Sequence, residues 1–267
     1  YRLLGSLFSI PVWLMTTAQI AALTSAEAQA LTTDQVVALT TAQISKLTTA
    51  AIAAMTTDQI AAIETSDLTQ LTTAQIVAMT TEQLAAMTTD QIGVLTSAQI
   101  VTLGTGDIKA LTTDQVVALT TDQISKLTTA AIAAMTTDQI AAIETSDLAQ
   151  LTTAQIAALT SAEAQALTTD QVVALTTAQI SKLTTAAIAA MTTDQIAAIE
   201  TSDLTQLTTA QIVAMTTEQL AALTTDQIGV LTSAQIVTLG TGDIKALTTD
   251  QVVALTTDQI SKLTTAA

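Results

Sequence analysis

From Met15 onward, apolar and polar residues follow a period of eight along the chain. Counted from the apolar residue that opens each copy, position 1 is Leu, Met or Ile in all 31 complete octads, and position 6 is Ile, Val or Leu in 29 of them. The apolar spacing therefore alternates between five and three residues, without a single insertion. A fixed short period predicts a repeat array in which each unit packs against its neighbours.

The polar positions of the octad predict the start of a helix. Position 2 is Thr in 26 octads, and position 5 is Gln in 21. Thr followed three residues later by Gln forms a capping box, in which each side chain bonds the backbone N–H of the other residue. In the octads that open at residues 31, 39 and 55, the predicted capping residues are Thr32, Gln35, Thr40, Gln43, Thr56 and Gln59.

The apolar positions of the octad flank this cap. They fall immediately before the cap and at the fourth helical residue, which are the two places of a hydrophobic staple. In the same three octads, the predicted staple and core residues are Leu31, Val36, Leu39, Ile44, Met55 and Ile60. One octad thus encodes an entry, a cap and about one and a half helical turns.

The period also predicts that each helix ends before the next begins. In one continuous helix, eight residues rotate by about 800°, so the apolar stripe would drift by about 80° per octad. We therefore predict an all-α superhelical solenoid with one capped helix per octad, in which positions 1, 6 and often 8 face inward and positions 3, 4 and 7 face solvent. A β-solenoid is the alternative because Thr, Val and Ile suit strands, but the chain has only seven Gly and one Pro for its corners.

Charged residues are sorted within the octad. All 23 acidic residues lie at positions 2, 4 or 5, and all six Lys lie at positions 7 or 8. This order matches the helix dipole, which favours acids in the first turn and cations in the last. The net charge of −16 and the pI near 4.1 disfavour nucleic acid and anionic membranes as partners.

The sequence predicts two regions. Residues 1–14 contain the only Tyr, Phe, Trp, Pro and Arg of the chain. They are interpreted as an apolar cap or a docking arm, with Phe8 and Trp13 as candidate contact residues, or as the trailing part of a signal-like segment. This stretch is too short for a membrane span and is interrupted by Pro11, so membrane insertion is not expected.

Residues 15–267 are expected to form one continuous octapeptide-repeat solenoid. Within it, residues 15–131 recur as 151–267 after a shift of 136, and only two of these positions differ, Met15/Leu151 and Met87/Leu223. The shift equals 17 octads and a second, weaker shift of 80 equals 10 octads. These numbers share no common factor, so the octad itself is interpreted as the exchangeable unit.

The residue types argue against catalysis. The sequence has no His and no Cys, and no nucleophile has a base beside it in the pattern. We therefore expect no enzyme activity, cofactor or small-molecule substrate. The run from Gly104 to Asp107 is interpreted as a variant cap, because it lacks the several oxygen ligands of a Ca²⁺ loop.

Two octads, Leu-Thr-Thr-Asp-Gln-Val-Val-Ala (31–38) and Leu-Thr-Thr-Ala-Gln-Ile-Ala-Ala (151–158), resemble the Thr/Gln-rich octapeptide arrays of very large bacterial surface or secreted adhesin-like proteins. The resemblance implies an extracellular or cell-surface setting. We expect a non-enzymatic structural protein that self-associates into a fibre or filament. The alternatives are the stalk or spacer of an adhesin, and a cation- or ice-binding surface built from position-4 carboxylates or Thr pairs.

Overall fold

The computed structural model describes residues 11–263, and all regular secondary structure in this range is helical. A short 3-10 helix, Val12–Leu14, precedes 31 α-helices of four to six residues, one in each octad of the described range. The predicted all-α solenoid with one helix per octad is confirmed. Because residues 11–263 contain no strand, the β-solenoid alternative is wrong.

The chain divides into two compact units, Tyr1–Ala134 and Met135–Ala267, and the boundary coincides with an octad junction. The helices of the first unit are α1 Thr17–Ala21, α2 Ser25–Gln29, α3 Thr33–Val37, α4 Thr41–Ile44, α5 Thr49–Ala54, α6 Thr57–Ala61, α7 Thr65–Leu68, α8 Thr73–Val77, α9 Thr81–Ala86, α10 Thr89–Val94, α11 Ser97–Ile100, α12 Thr105–Ala110, α13 Thr113–Val117, α14 Thr121–Lys126 and α15 Thr129–Ile132.

The second unit continues the series. Its helices are α16 Thr137–Ala142, α17 Thr145–Leu148, α18 Thr153–Ala157, α19 Ser161–Ala166, α20 Thr169–Ala174, α21 Thr177–Ile180, α22 Thr185–Ala190, α23 Thr193–Ala198, α24 Thr201–Leu204, α25 Thr209–Val213, α26 Thr217–Ala222, α27 Thr225–Val230, α28 Ser233–Ile236, α29 Thr241–Ala246, α30 Thr249–Ala254 and α31 Thr257–Lys262.

The corner between two helices is made by positions 1 and 2 of the octad, both in extended conformation. Met55 has φ −60° and ψ 149°, and Thr56 has φ −75° and ψ 161°. The N–H of Met55 also donates to the carbonyl of Ile52 at 3.2 Å, which closes the preceding helix. No residue among 11–263 has a positive φ. The chain therefore turns at every octad without the left-handed conformation that favours Gly.

Within each unit, every helix packs against the helix three octads further along. Thus α5 packs against α8 in the first unit, and α22 packs against α25 in the second. One turn of the solenoid therefore contains three octads. In each unit the helices form three stacks, a stack being a column of helices spaced three octads apart.

Positions 1 and 6 form the interior of each unit. The predicted core residues are all buried, with exposed fractions from 0% to 7%: Leu31, Val36, Leu39, Ile44, Met55 and Ile60. Position 8, expected to face inward in many octads, is instead half-buried or exposed throughout 11–263. It follows position 6 by about 200° around the helix and so points away from the interior. Position 5 is buried in its place, as Gln59 shows with 2% exposure.

One pair of stacked helices in each unit is packed more closely than the rest. The closest Cα approach is between α2 and α5, and between α19 and α22. Position 6 of α19 is Ala164 and position 5 of α22 is Ala187, both fully buried. The Ser161 hydroxyl donates to the Ala186 carbonyl across this contact at 3.2 Å. The small side chains therefore allow the helices to approach.

Substitution of Ala164 by Ile, the commonest residue at its octad position, is expected to destabilise the protein. The larger side chain overfills a closed contact, which costs about 1–3 kcal/mol of unfolding free energy. Urea denaturation followed by circular dichroism measures the change. Val172→Ile, at the same octad position, is the control and is expected to change stability by less than about 1 kcal/mol. A more stable Ala164→Ile protein would contradict the explanation.

Candidate functional site

The predicted capping residues lie at the N-termini of α3, α4 and α6. The backbone N–H of Thr32 donates to Oε1 of Gln35 at 2.9 Å, and the N–H of Gln35 donates to Oγ1 of Thr32 at 3.2 Å. For Thr56 and Gln59 the two distances are 2.7 and 3.2 Å.

The α4 cap has a different geometry. The Thr40 N–H donates to Oε1 of Gln43 at 2.8 Å, and the Thr40 hydroxyl donates to the same oxygen at 3.1 Å. The N–H of Gln43 instead donates to the Thr40 carbonyl, at 2.8 Å. In all three octads the glutamine Oε1 therefore accepts from the backbone of the capping Thr.

The same glutamines bond the preceding turn of the solenoid. While Oε1 of Gln59 accepts at its own cap, Nε2 donates to the carbonyls of Ala28 at 3.0 Å and Leu31 at 2.5 Å. Gln227 repeats the arrangement in the second unit, to Ile196 at 3.1 Å and Ile199 at 2.7 Å. The acceptors always lie 28–31 residues earlier. We call these side chains and their bonds to the preceding turn the glutamine ladder.

The glutamine ladder completes the hydrogen bonding of the helix ends. A helix leaves its last carbonyls without a partner inside the helix, and the ladder amides donate to carbonyls at these ends. In residues 11–263, no buried side-chain nitrogen or oxygen lacks a hydrogen-bond partner. Each octad therefore depends on a neighbouring turn for its polar groups as well as for its apolar contacts.

The two candidate docking residues have different outcomes. Phe8 lies outside the described residues. Trp13 is 58% exposed on the 3-10 helix, whereas the adjacent Val12 is buried. The Val12 carbonyl accepts from Nε2 of Gln43 at 2.8 Å, as a position-6 carbonyl does in later turns. Val12 therefore contributes to the solenoid as a position-6 residue would, although it precedes the first octad.

The position-4 carboxylates that suggested a cation-binding ridge are exposed, as at Asp34 and Asp58. The pKa of Glu82 lies below its usual value because its own backbone N–H, and then the hydroxyls of Thr80 and Thr81, hydrogen-bond the carboxylate. Throughout residues 11–263, no group of three or more His, Cys, Asp or Glu side chains is arranged to hold a metal ion.

Two kinds of octad depart from the usual cap. At α12 the Gly104 N–H donates to the Asp107 carboxylate at 2.8 Å, so half of the capping box is kept without a Thr. At α7 the cap is Glu64, whose side chain makes no capping bond. The buried Asp67 of that octad instead accepts from the Thr41 hydroxyl at 2.6 Å, one turn earlier.

The capping box of α2 has a titratable member. Both the backbone N–H and the hydroxyl of Thr24 donate to Glu27 at 2.9 Å, and they hold the pKa of that carboxyl below its usual range. Because the folded-state pKa is lowered, the ionised box stabilises the fold above the ordinary Glu pKa of about 4.3. Its contribution is lost as pH falls through the folded-state pKa.

We expect Thr24→Ala to raise the pKa of Glu27 part of the way to its ordinary value, because the hydroxyl is lost and the backbone N–H remains. An NMR titration of the Glu27 carboxyl carbon measures the change. Thr32→Ala, which alters a box closed by glutamine, is the control and should leave this pKa unchanged. An unaltered pKa in Thr24→Ala would show that the hydroxyl does not contribute.

One shallow groove of about 500 Å³ lies on the stack that contains α7, α10 and α13. Its lining residues are Thr65, Thr89, Asp90, Gly93, Val94 and Ala118. Asp90 is the one titratable group among them, and the groove is open to solvent. It offers neither a nucleophile paired with a base nor an enclosed volume.

Sequence reasoning missed the second role of the position-5 glutamine. It assigned Gln to the capping box alone, and a capping box accepts either Glu or Gln. Yet position 5 is Gln in 21 octads and Glu in only two. The preference for an amide over a carboxylate was the available signal, because only the amide can donate to a carbonyl.

In the described range, the helices are too short for any of them to cross a lipid bilayer. A search of curated proteins found no match to the chain. The sequence profile of the ALTTAQ repeat matches eight overlapping or adjoining segments, residues 14–41, 36–62, 60–97, 94–129, 140–177, 172–199, 196–233 and 231–265. These segments cover most of the sequence, and the chain belongs to the ALTTAQ repeat family.

Proposed function

We propose that this chain is a non-enzymatic structural protein, an extracellular solenoid that serves as a fibre or filament subunit through self-association. The observation that carries the proposal is the glutamine ladder. Each turn completes the hydrogen bonds of the turn before it, as Gln91 does for Ile60 and Ile63 at 3.0 and 2.7 Å. Stability in such an array comes from adding like units, which suits a protein whose role is to extend.

The residue chemistry supports a structural role. The side chains inside each unit are used for packing or for hydrogen bonds within the array, and the sequence lacks His and Cys. The acidic surface disfavours binding to nucleic acid. Placement outside the cell rests on the resemblance of the octads to arrays in bacterial surface and secreted proteins.

Electron microscopy of the purified chain, combined with sedimentation velocity over a concentration series, tests the proposal. A filament subunit is expected to form elongated polymers whose mass rises with concentration. Particles of single-chain mass at all concentrations, with no polymer by microscopy, would contradict the proposal.

The second candidate is a stalk that spaces an adhesin's binding domain from the cell surface. It is favoured by the same one-dimensional packing, since an array of this kind extends without needing a partner. A stalk is expected to remain monomeric in the sedimentation series and to resist extension in single-molecule force measurements. Concentration-dependent polymers would favour the filament instead.

A further inference from the structure

The three stacks of the first unit differ in charge. The stack of α3, α6, α9 and α12 carries Asp34, Asp58, Glu82 and Asp107. The stack of α4, α7, α10 and α13 carries Glu64, Asp67, Asp90 and Asp114. On the remaining stack, the octads of α5, α8 and α11 contain no charged residue. We call α5, α8 and α11 the charge-free stack.

The second unit has the same arrangement on α22, α25 and α28, whose octads are also without charge and pack in one column. This follows from the duplication of residues 15–131. One chain of net charge −16 therefore carries two charge-free stacks, one in each unit. A subunit needs at least two contact surfaces to form a polymer.

The outward face of each charge-free stack is partly apolar. Val77 and Val101 are 56% and 43% exposed on α8 and directly after α11, and Val213 and Val237 are 56% and 46% exposed at the matching places of the second unit. Exposed Thr and Ala at positions 3 and 4 fill the space between them, as at Thr73 and Ala74. Such a face loses little hydration when it is covered.

Carboxylates at the edges of the charge-free stack are bonded to their own chain. On α14, Asp122 accepts from the Ser97 hydroxyl at 2.5 Å, and on α31, Asp258 accepts from Ser233 at 2.7 Å. At the other edge, Glu27 is held in the capping box of α2. These hydrogen bonds keep the edge carboxylates on their own surface.

We propose that the charge-free stacks are the surfaces through which two copies of this chain associate, with the charge-free stack of one copy against that of another. The inference rests on the proposed filament function and names the contact surface of that filament. Approach through either of the other stacks of the unit brings carboxylates together, and like charges juxtaposed at an interface cost several kcal/mol. The charge-free stack is the surface on which a second copy meets no such repulsion.

A single charge-free stack of three short helices is small beside the ~800 Å² per partner that a stable interface buries. Contact through both stacks of a chain raises the affinity because the second contact forms at a high effective concentration. Association is therefore expected to be steeply dependent on the number of intact stacks.

The test introduces carboxylates where the fold already accepts them. Other octads carry Asp at position 4, for example Asp34 and Asp58, so Ala→Asp at this position preserves the helix. The test variant places Asp on both charge-free stacks through Ala74→Asp, Ala98→Asp, Ala210→Asp and Ala234→Asp. The matched control adds the same charge at the same octad position on other stacks through Ala18→Asp, Ala42→Asp, Ala154→Asp and Ala178→Asp. All eight alanines are exposed.

Polymerisation of the full chain is measured by sedimentation and electron microscopy, with circular dichroism to verify helix content. We expect the test variant to raise the critical concentration by at least about tenfold, equivalent to ~1.4 kcal/mol, and the control variant to change it far less. Equal effects of the two variants, or none, in a chain that does polymerise would overturn the proposed surface while leaving the filament function standing. A wild-type chain that does not polymerise would overturn both.

Discussion

Substitution of Gln83 by Ala is expected to lower the free energy of unfolding by about 3 kcal/mol. The side chain is 2% exposed, accepts from the Thr80 N–H at 2.8 Å, and donates to the carbonyls of Ile52 and Met55 at 2.8 and 2.6 Å. Its removal breaks the capping box of α9 and leaves two carbonyls of an earlier turn without this donor. A buried polar group left unsatisfied costs about 1–3 kcal/mol.

Gln19→Ala is the matched control for this substitution. Gln19 occupies the same octad position and accepts from the Thr16 N–H at 2.8 Å, but it is exposed, and its Nε2 donates to no acceptor among the described residues. Its loss should therefore cost only the capping contribution, about 1 kcal/mol or less. Denaturant titration of both variants gives the difference. Equal destabilisation by the two substitutions would show that the bonds between turns contribute nothing.

Truncation of Ile60 to Ala is expected to destabilise the protein by about 2–5 kcal/mol. Ile60 is fully buried at position 6 of its octad, so the substitution removes buried methyl groups and leaves a cavity. The structure does contain alanine at this position in α2 and α19, but there the stacked helix also carries alanine, as at Ala51 above Ala28. At Ile60 no such matching change reduces the cavity.

Ile260→Ala tests the same chemical change at the same octad position with little burial. Ile260 is 54% exposed, so its truncation should cost less than about 1 kcal/mol. Thermal and denaturant unfolding of the pair, with hydrogen exchange of the amides in α6 and α9, measures both the size and the location of the effect. A similar loss in both variants would mean that burial within the stack does not set the energy.

Local structure was predictable from the octad because its determinants lie within eight residues. The Thr at position 2 caps a helix that begins at the next residue, as Thr56 does for Thr57–Ala61. The staple residues on either side of this cap, Met55 and Ile60, are buried. Capping, the helix dipole and the apolar period all favour the same short helix. This agreement explains why the sequence predicted one helix in every octad.

The surface was predicted less completely. The sequence sorted acids and lysines along the octad, but it did not indicate which octads share a stack. Asp34, Asp58 and Glu82 are separated by 24 residues each, and they form one column only because each turn holds three octads. The charge-free stacks are likewise visible only when the octads are grouped by three.

The sequence by itself determined the helical octad, its cap, its buried positions 1 and 6, and the absence of catalytic chemistry from its residue types. Only the tertiary structure decided the three-octad turn, the burial of position 5 and the second bond of each glutamine. The physical reason is distance along the chain. The capping box and the staple depend on residues three to five apart, whereas Gln59 meets Ala28 and Leu31 from 31 and 28 residues away. Contacts of that range arise from how far the Leu–Thr corner turns the chain, which the composition of one octad does not specify.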